Sequence, residues 1–429
     1  MSRMFGRQIQ QRAAHGASFN PGVVRVPNRL VTVLGLGLAL IALVACQDQS
    51  PTRTRSARGA TYYNEHLGGG PWSVHIVEID RQDGGLQLHS AMGRGTRLGL
   101  RPLSEQAGSI PPAWGKPVAA VNGDFYAREG TAYAGDPRGL QIVDGELVSG
   151  PGEQAAFWLD AAGNPHATNV VSQFRFGWPE GTSFPFGLNE ECTPSQMVLC
   201  TAALGDKTRH RTAGLELILE GIPDSPWLPL RIGETYRAKV RSIRQGSGTP
   251  LTPDTVVLSI GNALAGQLPP TPVGTVLSFS TETSPGLKGA RIAIGGGSVL
   301  VRHGKLTRLE KPAGPRGLTS YSVSSMFERH PRSVLGWNDT HFFLGEVDGR
   351  QRRLSVGMTL EELGAYMARI GCDVAMSLDG GGSATIWYDG RVRNSPCDGA
   401  ERPVANGLVV TRLSGDRPTV SAAAVHLNP

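Results

Sequence analysis

Aromatic residues are scarce, at 6% of the chain, and no basic stripe with aromatics set between the charges occurs anywhere in it. That absence argues against a nucleic-acid partner, whose recognition leaves such a footprint. The apolar run Val31–Val44 is too short for a comfortable bilayer span. Cysteine is limited to five residues, none spaced like the ligands of a zinc site. EF-hand spacing and a His-Glu metal signature are also missing. No repeat of fixed period runs along the chain. Glycine (57) and proline (30) are abundant instead, without the period of collagen and at a level foreign to a helical bundle. The composition describes many short strands joined by tight turns. At 39%, the hydrophobic fraction suffices for a real core, in two or three domain-lengths or one large β-rich domain.

The formal charge of +6 comes from the N-terminus, where the first 58 residues hold many arginines and almost no acids. The remainder is close to neutral, so the basic balance says little about partners. Arg25 and Arg29 precede the apolar run, which fits the core of a signal peptide over residues 1–45. The run leads into "LVAC", Leu43–Cys46, which resembles the bacterial lipoprotein processing box, with Cys46 as the lipidated residue. The expectation is an exported cell-envelope lipoprotein, held to a membrane by its lipid. Residues 46–71 are polar, basic and poor in aliphatics, and read as a flexible tether. A folded domain is expected over 72–415 and a tail over 416–429. In an exported chain the other four cysteines are expected to pair, and closeness in sequence favours Cys192–Cys200 and Cys372–Cys397 among the three pairings they allow.

Alternation of apolar and polar residues predicts a strand at Val74–Ile79, a short apolar run predicts one at Pro117–Val121, and Leu215–Leu219, Tyr236–Ile243 and His341–Val347 are further strand candidates among others. Asp144-Gly145 predicts a two-residue hairpin. One helix stands out in "MTLEELGAYMARIG". Thr359 and Glu362 form a capping box, Met358 can staple onto Leu363, and Leu360, Leu363, Met367 and Ile370 share a face. Val374, Met376 and Leu378 then alternate along a strand that ends at Asp379. A helix docked on a sheet that delivers an acid at its rim is an α+β arrangement: a β-rich mixed sheet with a few packed helices and active-site loops at strand ends.

Four apolar strands end in polar, glycine-bearing turns: "AAVNGDFY", "IAIGGGSVLV", "GEVDGR" and "SLDGGGSAT". Each taken alone reads as a tight turn. Together they place acids at strand ends beside flexible backbone that can approach a ligand. In order, "NGDFY", "GGGSVLVRHG", "HPRSVLGW", "EVDGR", "GMTLEELGAYM", "LDGGGSATIW", "VRNSP" and "ERPVANGLVV" make the chain resemble the phosphodiester glycosidase family over about Val74–Arg412. Animal members of that family remove N-acetylglucosamine from the mannose 6-phosphate signal on lysosomal enzymes. The chain departs from the pattern in "GGGSVLV", where proline often follows the glycines, and in the Trp-Asn-Asp stretch after Gly336.

The resemblance implies hydrolysis of a sugar-1-phosphodiester, with a phosphoglycan or a similar sugar-1-phosphodiester as substrate. Asp379 is then the expected carboxylate at the anomeric carbon, as nucleophile or as base for water. Asp124 and Asp348 are further strand-end acids, one of which is expected to be the second carboxylate. Gly380, Gly381 and Gly382 would bring amides to the phosphate, with Ser383 and Thr385 as added donors. Arg332 and Arg350 would neutralise its charge. Asn122, Asn394 and Arg402 would fix sugar hydroxyls or orient the acids. Each has a plainer role open to it: Asp348 and Asp379 as turn caps or salt-bridge partners, Arg402 as an exposed partner of Glu401, Asn394 as a turn former. His303, His330 and His341 have no evident partners and read as surface or core polar residues. No cofactor is firmly implied, although clustered Asp and Asn oxygens leave room for a divalent cation such as Ca²⁺. Two other functions fit the same pattern: a glycosidase on ordinary exopolysaccharide or cell-wall linkages, and a non-catalytic, lipid-anchored polysaccharide-binding protein.

Overall fold

A computed structural model describes residues 52–55, 59–68, 70–309 and 323–413, all within one unit, Gln47–Pro429. The expected signal peptide, the lipidation site Cys46 and the tail 416–429 lie outside the described residues. Among the described residues, no helix is long and apolar enough to cross a membrane.

The architecture is α+β and dominated by antiparallel sheets with a few short helices. One eight-stranded sheet has the order Thr52–Arg55, Ala60–Leu67, Trp72–Asp80, His341–Val347, Arg332–Trp337, Val374–Ser377, Val299–Arg302, Lys305–Leu306. A five-stranded sheet has the order Arg391–Val392, Ile386–Tyr388, Lys116–Asn122, Asn406–Arg412, Leu86–Met92. The two face each other across a core that includes Val77, Leu335, Leu344, Val121, Ile386 and Leu408. Apolar residues on alternate positions of each strand fill it, as period-two strands require. On the other face of the eight-stranded sheet lies the helix Leu360–Arg369, which buries Leu360, Leu363 and Met367 against Val334, Ile76 and Ala375. Its capping box is formed: Thr359 Oγ1 accepts from Glu362 N (3.1 Å) and Glu362 Oε2 accepts from Thr359 N (2.9 Å). Such a cap is worth about 1 kcal/mol.

The segment between the two halves of this sandwich builds its own structure. It contributes a second five-stranded sheet, which includes Gln141–Val143 and Ile292–Gly295, and a second eight-stranded sheet, which includes Ala213–Gly221 and Thr235–Gln245. Their shared core holds Phe176, Tyr236, Phe279 and Leu258. The expected hairpin at Asp144-Gly145 is present, with φ values of 46° and 85°.

Three readings are corrected. The tether 46–71 contains structure: Ala60–Leu67 is a strand of the large sheet, with Tyr62 and Tyr63 buried. Its alternation of aromatic and polar residues was masked by low aliphatic content. The triplet Gly295–Gly297, which alone reads as a tight turn, instead links two sheets, since Ile292–Gly295 and Val299–Arg302 belong to different ones. The glycines carry the chain across, with Gly296 N donating to Ala155 O and Gly297 N to Ser377 O.

The third correction concerns the disulfides, since all four described cysteines are free. Cys372 is buried against Gly336 and Met367, whereas Cys397 sits near Arg350 at the other end of the strand Val374–Ser377. At about 3.3 Å per residue that strand carries the two well beyond the roughly 7 Å Cα separation a bridge tolerates. Cys192 and Cys200 are both buried on either side of His210 and Ser259 and remain free thiols. Cys200 Sγ lies 3.2 Å from His210 Nε2, and Cys192 Sγ points to the carbonyl of Gln196 at 3.5 Å. Burial pushes the Cys192 thiol up to about 11 and the Cys200 thiol higher still, so both are held as inert thiols.

Candidate functional site

The strand Val374–Ser377 ends at one rim of the sandwich, and the chain then turns through Leu378 and Asp379 into a short 3-10 turn at Gly381–Ser383. Asp379 is held from both sides of its peptide unit. Its N–H donates to Gly123 O (2.8 Å), and its carbonyl accepts from Asn122 Nδ2 (2.7 Å). Asn122 ends the strand Lys116–Asn122 of the facing sheet, so the acid is fixed where the two sheets meet. The other end of the Asn122 amide accepts from Ser333 Oγ (2.6 Å) and Thr385 N (3.0 Å).

Asp379 opens into a cleft of about 390 Å³. Its wall brings together Arg332, Arg350, Gly380, Gly381, Gly382, Ser383 and Arg402 from the sequence-based set. Arg128, Tyr126, Phe125, Ser325 and His330 complete it. Burial raises the Asp379 carboxyl to about 6, while Ser383, the Gly380 amide, Arg402 and Arg128 all favour its charged form. Asp379 therefore titrates close to neutrality.

The three glycines are explained by what packs on them. A Cβ at Gly380 would stand 2.6 Å from Pro331 O. Gly381 has φ +63°, and the Arg350 guanidinium lies over it, so that a Cβ there would stand 3.0 Å from Arg350 Nη2. A Cβ at Gly382 would overlap both Arg402 Nη2 and Asp398 Oδ2. The loop is thus stripped of side chains so that two guanidinium groups can lie against it beside Asp379. The expected nest of amides is narrower than the sequence suggested, because the Gly381 N–H is spent on Pro331 O (2.9 Å).

The two arginines chosen from sequence differ sharply. Arg350 is exposed, with Nη2 3.4 Å from His330 Nδ1 and Nη1 3.9 Å from Cys397 Sγ. Arg332 is buried and committed to carbonyls: Nε donates to Met358 O (2.9 Å), and Nη2 to Glu328 O (2.8 Å) and to Ser325 O. It braces the cleft wall more than it serves the cleft. Arg402 pairs with Asp398 at 2.6 Å, not with Glu401. His330, read from sequence as a bystander, lines the cleft, and burial together with Arg332 and Arg350 lowers its pKa.

Five expected site residues are not on the cleft wall. Asp124 is buried behind it, accepting from Phe125 N (2.7 Å) and Gly139 N (2.7 Å). Burial lifts Asp124 to about 8 in spite of these two amides. Thr385 and Asn394 are internal struts. Thr385 Oγ1 donates to Ser383 O, and Asn394 accepts from Ile386 N and donates to Ala384 O. Asn122 positions Asp379 as described, and does so from the core. Asp348 belongs to another cluster: its Oδ2 lies 2.9 Å from His75 Nε2, and its Oδ1 accepts from Ser395 N (2.7 Å).

That cluster is the candidate cation site. His75, Glu346 and Asp348 are all buried and offer ligand atoms within 4.8 Å of one another, an arrangement that could hold a divalent metal. Both carboxylate oxygens of Glu346 are buried and neither makes a hydrogen bond of good geometry; burial, with Asp348 second, drives its pKa well above the usual range against an opposing pull from the nearby Asn394 amide. A cation would remove that penalty, so the residues fit one. One imidazole and two carboxylates suit Zn²⁺ or Mn²⁺ better than Ca²⁺, which prefers oxygen alone. Glu346 pairs in register with Ser333, which bonds Asn122, so the cluster backs onto the support of Asp379.

The fold and the cleft define a β-rich α+β domain whose rim gathers one carboxylate among several guanidinium groups. Residues 236–411 match the phosphodiester glycosidase family, and over that stretch the chain is phosphodiester-glycosidase-like. The match associates the stretch with a hydrolytic role of the phosphodiester-glycosidase kind. It covers Arg332, Arg350, Asp379 and Arg402, while Asn122, Asp124 and Arg128 lie before it. The SPbeta prophage-derived uncharacterized protein YomE of Bacillus subtilis is 32% identical over 130 residues, 30% of this chain and 19% of that relative. A hypothetical protein from Synechocystis has a similar fold, with TM-score 0.66 and 19% identity over 84% of this chain and 63% of its own. So has a putative exported protein of Burkholderia pseudomallei, with TM-score 0.62 and 22% identity over 80% of this chain and 74% of its own. The chain thus spans about a fifth of the curated relative and under two thirds of the Synechocystis protein.

Proposed function

We propose that the cleft hydrolyses a sugar-1-phosphodiester between the anomeric carbon and the phosphate oxygen, releasing the sugar and a phosphate monoester. One observation carries this reading. Among the described residues lining the cleft the single carboxylate is Asp379, in company with the guanidinium groups of Arg128, Arg350 and Arg402, the last of them paired with Asp398 from outside the wall. Hydrolysis of an ordinary glycoside calls for two carboxylates, one of them an acid that protonates a poor alcohol leaving group. A phosphate monoester leaves readily and needs its charge met instead, and arginine forks supply that. One acid and several cations suit the phosphodiester better than the ordinary glycosidic link.

In this mechanism Asp379, ionised above about 6, takes a proton from the water that attacks the anomeric carbon, or attacks that carbon itself to give a glycosyl ester that water then hydrolyses. The C–O bond breaks, and the electron pair leaves with the phosphate against Arg350 and Arg402. Asp124 does not touch substrate in this scheme. It ties the Phe125 and Gly139 segments together behind Asp379. The metal cluster, if loaded, would stiffen the same support from the other side. On the strength of the Leu43–Cys46 box we also place the protein in the cell envelope, anchored through Cys46.

The test is a product assay in heavy-oxygen water on a sugar-1-phosphodiester and on an alkyl glycoside of the same sugar. The reading expects turnover of the phosphodiester alone, with the label in the anomeric hydroxyl. Label in the phosphate, or faster turnover of the alkyl glycoside, would refute it.

A further inference from the structure

A second cavity, of about 240 Å³, lies beside the cleft and is basic in a way the reaction at Asp379 does not use. Arg94, Arg97, Lys207 and Arg209 line it, and the one acid among its described lining residues, Asp206, pairs with Arg97. All four cations are exposed. These like charges, only partly offset by Asp206, repel one another around one concavity, and a concave, low-dielectric wall focuses the resulting field. An anion relieves that repulsion. Exposed cations scattered over a surface would carry no such meaning; these converge because Leu98 N donates to Ala203 O and draws the 94–98 and 203–209 segments together.

The two cavities share a wall. The segment from Tyr126 to Pro137 leaves and returns through a bridge between those two residues, closed by Ala127 N on Asp136 O and Gly135 N on Ala127 O. Arg128 faces the catalytic cleft, while Thr131 and Tyr133 face the basic cavity. Thr131 closes a turn onto Arg128, donating from N (3.3 Å) and from Oγ1 (2.8 Å) to Arg128 O. The ends of such a turn lie within about 7 Å of each other. The returning limb of the ridge is anchored to the body of the protein. Tyr133 is buried, bonds His210 Nδ1 at 2.7 Å and stacks on that ring, and Gly135 packs directly on Gly99.

We propose that the basic cavity is a second phosphate subsite, and that the substrate is an oligomeric glycan with successive phosphodiester links, seated across the Arg128–Thr131 turn. One phosphate lies in the cleft at Arg350 and Arg402, and the next lies in the cavity at Lys207 and Arg209. The substrate class rests on the hydrolase reading above; the subsite itself is a binding property and stands apart from it.

The experiment compares two probes: a sugar-1-phosphodiester with a small neutral aglycone, and an oligomer of the same sugar joined through several 1-phosphodiester links. Turnover is measured for the intact protein and for a Lys207→Ala/Arg209→Ala double variant, with Lys207→Glu as a second variant. Binding of both probes is titrated in an Asp379→Asn background. The expected result is a KM at least about tenfold lower for the oligomer, an advantage that shrinks with added salt. The double variant should lose that advantage and leave the small probe within about twofold. Equal KM for both probes, or equal losses on both in the variants, overturns the subsite. If neither probe is turned over, the hydrolase reading fails, and the titration still decides the subsite: oligomer binding insensitive to Lys207 and Arg209 refutes it.

Discussion

The side-chain amide of Asn122 holds the main-chain carbonyl of Asp379 at 2.7 Å, across the junction of two sheets. Gly123 O receives the Asp379 N–H in the same clasp. The orientation of the acid is therefore a property of the whole sandwich, not of its own loop. An Asn122→Ala variant loses both the clasp and the anchor for Ser333 Oγ and Thr385 N. Its kcat should fall about tenfold or more while KM changes little, since the residue touches no substrate. A rise in KM alone would show that Asn122 acts on binding.

Arg350 and Arg332 should separate cleanly. Arg350→Ala removes an exposed guanidinium over Gly381 and is expected to raise KM for phosphate-bearing substrates about tenfold with an unchanged melting temperature. Arg332→Ala strands the carbonyls of Met358 and Glu328, and should cost about 1–3 kcal/mol of stability. Thermal melts beside kinetics test both; equal stability losses would contradict the distinction.

Asp124 gives the pH prediction for stability. Its folded pKa, about 8, lies above that of a free aspartate, so the folded state holds its proton more tightly than the unfolded state. The stability this contributes is complete below about pH 4, the unfolded value, and is lost as pH rises towards 8. The melting temperature of the wild type relative to Asp124→Asn should therefore fall steadily from pH 4 to pH 8. A gap that is flat or grows with pH would mean that Asp124 is buried as a carboxylate, held by its two amides.

Metal analysis of protein purified without chelator should find close to one equivalent of a divalent transition metal or zinc, lost in Glu346→Gln. Chelation should lower the melting temperature and leave the Glu346→Gln protein unmoved. Protein with no bound metal, and with melts indifferent to chelator, would show that Glu346 is simply a buried neutral acid.

Much of the frame was legible because its signals are local. The helix Leu360–Arg369 carries its own capping box, and the alternation of Val374, Met376 and Leu378 leads directly to Asp379. What escaped depends on distant contacts. Arg128 reaches the cleft only because Tyr126 bridges to Pro137, and His330 because it pairs with Met358. Asp348 and Asp379 look alike in sequence, each an acid after an apolar strand and before glycine. They part because Asp348 meets His75, a partner 273 residues away. The same logic defeats pairing cysteines by proximity in sequence: Cys372 and Cys397 are neighbours along the chain and lie at opposite ends of a strand.

The central claim is that Asp379 is the carboxylate that acts at the anomeric carbon. Its most direct test is the rate of sugar-1-phosphodiester hydrolysis by the wild type and by Asp379→Asn, read with the wild-type pH profile. The account predicts a loss of at least about 100-fold in the variant with its fold intact. It also predicts a wild-type rate that climbs as pH rises through about 6 and the carboxyl ionises. Near-normal turnover by Asp379→Asn, or a wild-type rate that falls as pH rises through that point, would contradict it.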